Sequence, residues 1–570
     1  MKPSLSRPRA RWLALTAAAA ASLLLAACGG SSTAPNSSAS GGVKSGGTAT
    51  FALDEDVAGF NILQADDSEF VLQEINDQIW PQIFITPPNL TPTLDTNVVT
   101  SAKVTNTSPQ TVVYKINPKA VWSDGTPMSA ADFIYTWQAD SGNPKFKDVG
   151  GAAYLAASTA GYNDIKTVTS SDGGKTATVV FSAPYGDWRS LFAPMMPAHI
   201  AEKVGFNNGF QTFGPAVQVS GGPYMIQSYT KGEDLVEVRN PKWWGTPGKL
   251  SKIVFRFILD DSQQPPAVQN GEADLVNPSS ASLPYYDSIK NIAGFATKVD
   301  PGLEFQHMDF NESNPYLANV NVRQAIAYGT NRQQMITRII SPLDPSIKPL
   351  ENRLWMPTQP AYQNTSGGLG AYDPAKAKAL LTAAGMTMGS DGYFHPSTGP
   401  LKGQDLSLSI SSTTGNEVRA EIEQLFQANM KSIGIKLIIK NYDANTLFGT
   451  VLPKGEFDIS EFAWVLTPFD SANQPIYCSY TNASVCGENW DHYANPTVDA
   501  LFTKASATIN PTQSAAIYNQ IDTILWKDMV TLPLFQSPQL FGWSTKLANI
   551  IPNTSSVGVP WNAEDWGTKA

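Results

Sequence analysis

Three cysteines, four histidines and one tight acidic run carry most of the reactive chemistry in this 570-residue sequence. Cys28 follows Leu25-Ala26-Ala27 at the end of an apolar stretch that begins at Trp12. Lys2, Arg7, Arg9 and Arg11 stand upstream, and no acid precedes the cysteine. A basic start, a short apolar stretch and small residues before a cut are the marks of a secretory signal. Cys478 and Cys486 sit in Cys-Ser-Tyr-Thr-Asn-Ala-Ser-Val-Cys. In an exported chain a close pair is most simply a disulfide. A metal site is the alternative, and His492 is the one further ligand nearby. His199, His307, His395 and His492 stand singly, without metal-ligand spacing, so no metal is expected. Neither G-x-S-x-G nor H-E-x-x-H occurs, which removes the sequence support for a hydrolase or a zinc protease. Gly174-Lys175-Thr176 lacks the glycine that a phosphate-cradling loop has five residues earlier. Thr169 stands there, and a strand follows, so the triplet reads as a hairpin turn. Asp54-Glu55-Asp56 is either a solvated loop or a binding group for a cation.

The thiol at the cut resembles the lipobox of bacterial lipoproteins. That resemblance implies a signal peptide over 1–27, a diacylglyceryl thioether on Cys28, and tethering to a membrane, because two or more acyl chains anchor stably. Residues 29–47, GGSSTAPNSSASGGVKSGG, have nothing to bury and read as a flexible linker reaching roughly 20–25 Å. Net charge is −10, and removing the four signal cations leaves −14. An acidic chain without a basic run is a poor partner for nucleic acid. Hydrophobic residues make up 42% of the chain, enough to pack the two or three domains that its length suggests.

The elements that must position these groups alternate between short strands and helices. Thr48–Leu53 reads as a strand running into the acidic trio, and 111–116 as another. Trp122 to Pro127 is a turn, and Ser129 caps a helix from Ala130 with Asp132 in its first turn. Residues 164–169 and 175–181 pair as a hairpin over Asp172-Gly173-Gly174. Strands 235–238 and 253–258 follow. Farther on, 406–410 is a strand, and Val418, Ile422, Leu425, Phe426, Met430 and Ile433 recur at helical spacing until Gly434. Residues 435–439 are then a strand. Strand, helix and strand joined this closely form a βαβ unit with parallel pairing. A long helix covers 511–528. The fold class is therefore α/β or α+β, in at least two lobes.

Six segments, in order, resemble the extracellular solute-binding proteins of oligopeptide and dipeptide ABC importers, solute-binding family five. They are Val113 to Phe133 with its Trp-Ser-Asp-Gly-Thr-Pro turn; Gly222-Pro-Tyr with Val238-Arg-Asn-Pro-Lys-Trp-Trp-Gly; Asn270-Gly-Glu-Ala-Asp-Leu; Val322-Arg-Gln-Ala-Ile-Ala; Tyr372-Asp-Pro-Ala-Lys-Ala; and Tyr493-Ala-Asn-Pro-Thr-Val-Asp. Read physically, these landmarks are turns and caps. Asp373, for example, caps a helix with Pro374 at its first position.

The resemblance implies a two-lobed periplasmic-binding-protein-like α/β fold with a hinge. Lobe I would hold 48–300, with an inserted subdomain at about 80–210. Lobe II would hold 301–534, and 535–570 would return to lobe I. It also implies a monomer on the outer face of the bacterial cell membrane, with no cofactor and no enzymatic activity. A peptide-like or other small polar solute would be captured between the lobes and passed to the transmembrane subunits of an ABC permease. The alternative is a non-transport lipoprotein on the same fold, with a regulatory or cell-envelope assembly role. The family places a Trp, and three residues later an Asp for a peptide's α-ammonium, in a lobe II loop. Trp464 matches, but Thr467 takes the Asp position. Either Asp470 substitutes, or the ligand lacks a free amine, or Asp54, Glu55 or Asp56 serves instead. Trp464, Phe469, Trp355 and Phe60 are the candidate apolar walls.

Overall fold

Ten strands form the central sheet, numbered here in chain order: β1 (Thr48–Leu53), β2 (Tyr224–Thr230), β3 (Asp234–Arg239), β4 (Lys252–Phe257), β5 (Leu275–Val276), β6 (Phe295–Phe310), β7 (Ser407–Ser411), β8 (Lys436–Ile439), β9 (Ile459–Val465) and β10 (Thr531–Ser544). They belong to a computed structural model that describes residues 42–67, 69–279, 281–443, 446–480 and 486–569. The signal segment, Cys28 and linker residues 29–41 lie outside the described residues. The end expected to be linker is instead tied down, because Val43–Lys44 pairs as a short antiparallel strand with Thr568 and Lys569, so the folded body starts before Thr48. Residues 43–570 form one compact unit.

Strand order across the sheet is β8-β7-β9-β6-β10-β5-β1-β4-β3-β2. Two parallel patches lie within it. β1 runs parallel to β4 and β5 on one side, and β7 runs parallel to β8 and β9 on the other. Between them, β6 and β10 pair antiparallel along nearly their whole lengths and belong to both halves. β6 pairs with β9 only from Glu304 onward, and β10 meets β5 only at Gly542 and Trp543. The two long strands therefore carry the sheet from one half to the other. Pro301 lies opposite Pro538 at the changeover, and the register shifts between Pro301 and Phe305. A proline cannot donate to the ladder, so the pairing is thinnest there.

Each half has its own core. Phe51, Ile253, Trp122, Phe133 and Phe192 belong to the first. Phe310, Ile326, Phe426, Ile433 and Leu532 belong to the second. The second core is organised by the helix Glu417–Ile433, capped by the Asn416 side chain on the Arg419 N–H and ended by Gly434 in the left-handed region. That glycine meets the requirement for positive φ at a helix C-terminus. A four-stranded antiparallel sheet of Val99–Thr107, Gln110–Ile116, Thr176–Phe181 and Ile165–Ser171 stands beside the first half. The helix Ala130–Asp140 follows the Trp122 to Pro127 turn, and Ser129 and Asp132 close a reciprocal capping box at its start. Among the described residues no helix is long and apolar enough to cross a membrane.

Candidate functional site

In open α/β sheets, loops beyond the carboxyl ends of parallel strands are where ligands bind. Both parallel patches here point their carboxyl ends at the same hollow, a cavity of about 220 Å³. From the first half, Asp54 and Glu55 follow β1 and Asn277 follows β5. The helix Phe70–Asn76 adds Glu74. From the second half come Val465, the last residue of β9, and Val418 in the first turn of the helix after β7. The crossing strands supply the floor, with Glu304 and Gln306 from β6 and Phe535 and Ser537 from β10.

Four carboxylates line this space, and no Lys or Arg does so among the described residues. Glu74 is fully buried and accepts a hydrogen bond from Asn277 Nδ2 at 3.2 Å. Desolvation pushes its carboxyl up to about 8, with the charges of Asp54 and Asp77 adding to the rise. Gly558, at φ +62°, packs against the Glu74 carboxyl, and a Cβ at that position would collide with it. Asp54 is half-buried and accepts from the Ser279 N–H at 2.9 Å. On the facing side desolvation also raises Glu304, opposed by the Arg419 charge. Gln306 Nε2 donates to Glu304 Oε1 at 3.3 Å. Gln306 Oε1 is buried and has no partner.

The structure gathers only part of the sequence-derived set here. Asp54 and Glu55 line the cavity. Asp56 turns away and accepts from Val57 N, Tyr229 Oη and Gly232 N. Phe60 is 4% exposed and meets the Tyr229 ring edge-on at 5.1 Å. Trp355 packs at the margin of the Leu354–Tyr477 cluster. Trp464 lies opposite Phe305 in the ladder. Alternation along a strand thus puts it on the sheet face away from Val465, Glu304 and Gln306. It stacks instead on Trp490, with ring centroids 5.4 Å apart. Thr467 exchanges bonds with the backbone of Phe469, and so serves its own loop.

Asp470 is buried at a second contact between the halves. Ser471 N donates to Asp187 Oδ2 at 3.0 Å, and Ser471 Oγ lies 3.0 Å from Tyr185 Oη. Burial holds the Asp470 carboxyl well above its usual range, and the charge of Asp187 adds to this.

Glu74, Glu304, Gln306 and Asn277 were not singled out in the sequence. The one local signal was the alternation of polar Glu304 and Gln306 with apolar Leu303 and Phe305. Cys478 and Cys486 are bonded, with Cα atoms 5.6 Å apart, which decides between the disulfide and a metal site. Asp391, His395 and Asp405 have ligand atoms within 4.8 Å of one another. The His395 ring is shared between them, with Nε2 3.0 Å from Asp391 and Nδ1 3.7 Å from Asp405. Lys436 pairs with Asp405 at 3.1 Å, so the trio reads as a salt-bridge group.

Residues 93–484 match the family described as bacterial extracellular solute-binding proteins, family 5. The oligopeptide-binding protein OppA of Mycobacterium tuberculosis is 32% identical over 516 residues, covering 89% of this chain and 83% of that protein. This chain belongs to solute-binding family 5. The probable monoacyl phosphatidylinositol tetramannoside-binding protein LpqW of the same species is 28% identical over 494 residues, 80% of this chain and 73% of that one. A periplasmic EDTA-binding protein, EppA, superposes with a TM-score of 0.86 at 27% identity, covering 93% of this chain and 98% of that structure. The α/β architecture is thus the two-lobed periplasmic-binding-protein fold, and the protein is an extracytoplasmic solute-binding protein by family.

Proposed function

We propose that the protein is the membrane-tethered receptor of an ABC importer, closing on a small polar organic solute and presenting it to the permease subunits. The observation that carries this reading is the cavity itself, hollow and reached by the carboxyl ends of parallel strands from both halves.

Lobe I comprises 48–300 with the four-stranded subdomain and the returning segment from 535, and lobe II comprises 301–534. Closure is a hinge motion of β6 and β10 about Pro301 and Pro538, where the ladder is thinnest. The ligand favours closing because it touches both lobes only in that state. The protein acts as a monomer, without catalysis. Relatives named for oligopeptide binding support a peptide-like ligand. Lipidation at Cys28 is the tether.

Native mass spectrometry of the protein purified gently from its host tests the receptor. A retained organic mass is the expected outcome, and a clean apo mass after exposure to the host's culture medium would overturn it. Cys28→Ser should move the protein from the membrane fraction to the soluble one. Unchanged fractionation would remove the lipid anchor.

A further inference from the structure

A family relative of closely similar shape is named for binding EDTA, a polyanion. The cavity of this chain has the opposite character. One wall bears Asp54, Glu55 and Glu74, and the floor bears Glu304, with no cation among the lining residues described. The cation that acts on Glu304 is Arg419, which also acts on Glu423 and Glu461. That single guanidinium is shared among three carboxylates. Arg419 also donates to Thr413 Oγ1 at 2.8 Å.

A second observation is independent of charge. Gln306 is 6% exposed and lines the cavity, and its Oε1 has no hydrogen-bond partner. A buried acceptor left unmade costs about 1–3 kcal/mol. The missing group is therefore a donor, as an N–H of an ammonium or guanidinium would be. Beside the acids the lining also offers apolar surface, with Val71, Val418, Val465 and Phe535. Such a surface suits a hydrocarbon stem.

We infer that the solute taken here is a compact organic dication, with one nitrogen cation set against Asp54 and Glu74 and the other against Glu304 and Gln306. A diamine or an amidated basic dipeptide has this pattern. The stem between the two cations lies along the valines and Phe535. The cavity of about 220 Å³ is below the usual 300–1,000 Å³ range of drug-sized sites, which favours a solute of one or two residues over a long peptide. This inference rests on the receptor reading and names the ligand class of that site.

Isothermal titration of the full-length protein tests it, with 1,5-diaminopentane, Lys-Ala amide, pentylamine, Glu-Ala and EDTA as probes. The two dications are expected to bind at least tenfold more tightly than pentylamine, and Glu-Ala and EDTA not at all. Glu304→Gln, at a half-buried position, should weaken the diamine more than tenfold while the melting temperature stays within a few degrees of the parent. Glu74→Gln is the second variant and should do the same. Glu-Ala or EDTA binding as tightly as the diamine would overturn the dication and leave the receptor standing. Failure of both dications, with a neutral or anionic solute retained from the host, would do likewise. Failure of every probe together with a clean apo mass would overturn both readings.

Discussion

Glu74 and Asp470 are both carboxylates removed from water, one beside a hollow and the other inside a closed contact. Around Glu74 the protein leaves space and supplies two donors, the Asn277 side chain and the Val559 backbone. Around Asp470 it supplies packing, because Ser471 is already engaged by Asp187 and Tyr185 across the boundary between lobes. Tyr185 is itself fixed by two bonds to the Gln110 amide. Gly186 lies so near the Thr508 carbonyl that a Cβ would stand 2.5 Å from it. The same functional group thus has two uses. In the cavity, uncompensated negative charge is a demand that a ligand can meet. At the lateral contact burial favours the neutral form of the carboxyl, and the hydrogen bonds around it hold the two halves together. Burial of a carboxylate alone does not mark a binding site; the space beside it does.

Charge reversal on the cavity floor should give the largest effect. Glu304→Lys is expected to lower affinity for a diamine more than a hundredfold, measured by calorimetry, because it turns an attraction into a repulsion in a poorly solvated place. A loss under threefold would erase the distinction drawn between the two regions. The next effect follows from pH. With the Glu74 carboxyl pushed up to about 8, it is largely protonated at pH 6. A cation prefers the ionised form, so diamine affinity should rise more than tenfold between pH 6 and pH 8. The charged neighbours facing this group are Asp54 and Asp77, with Asn277 and the Val559 backbone as its donors.

Stability of the unliganded protein runs the other way. Between the ordinary glutamate value and about 8, the unfolded chain has lost the proton that folded Glu74 keeps. Raising the pH through that window therefore draws the equilibrium toward unfolding. Asp77, also pushed up to about 8 by burial, contributes in the same direction. Glu74→Gln should flatten both profiles, and melting curves from pH 5 to 8 check the second. An affinity independent of pH would mean that Glu74 does not face the bound cation.

Much of the scaffold was legible because its rules are local. The helix Pro511–Asp528 has the bounds that its sequence suggested. The Ser129 cap, the Asp373-Pro374 helix start and the Gly434 stop each depend on one or two side chains. The crossing strand Phe295–Phe310 was not read, since Pro301 in its middle argues against a strand. Pro301 is tolerated because its opposite number is Pro538, so neither strand presents a donor there that goes unmet by the other. The cavity was legible only at Asp54 and Glu55. Glu74, Asn277 and Glu304 come from separate elements and converge through topology, leaving no motif. Trp464 was singled out by resemblance, but the alternation along β9 settles which face it takes, and register is not visible in one strand's sequence.

The lateral contact offers the finer tests. Gly186→Ala should weaken ligand binding about fivefold through faster release, because the added methyl group crowds the Thr508 carbonyl only when the lobes meet. Overpacking of this kind costs about 1–3 kcal/mol. Stopped-flow fluorescence would separate a faster release rate from a slower capture rate. The smallest effect on binding is expected for Asp470→Asn, under twofold for a diamine, since the carboxyl does not line the cavity. Asp470→Asn also takes an acid out of a dry contact beside Asp187, which itself raises the Asp470 carboxyl, so the variant should melt a few degrees higher than the parent. If Asp470→Asn instead costs the diamine tenfold or more without lowering the melting temperature, then the carboxylate that meets the ligand is the one in the lobe II loop.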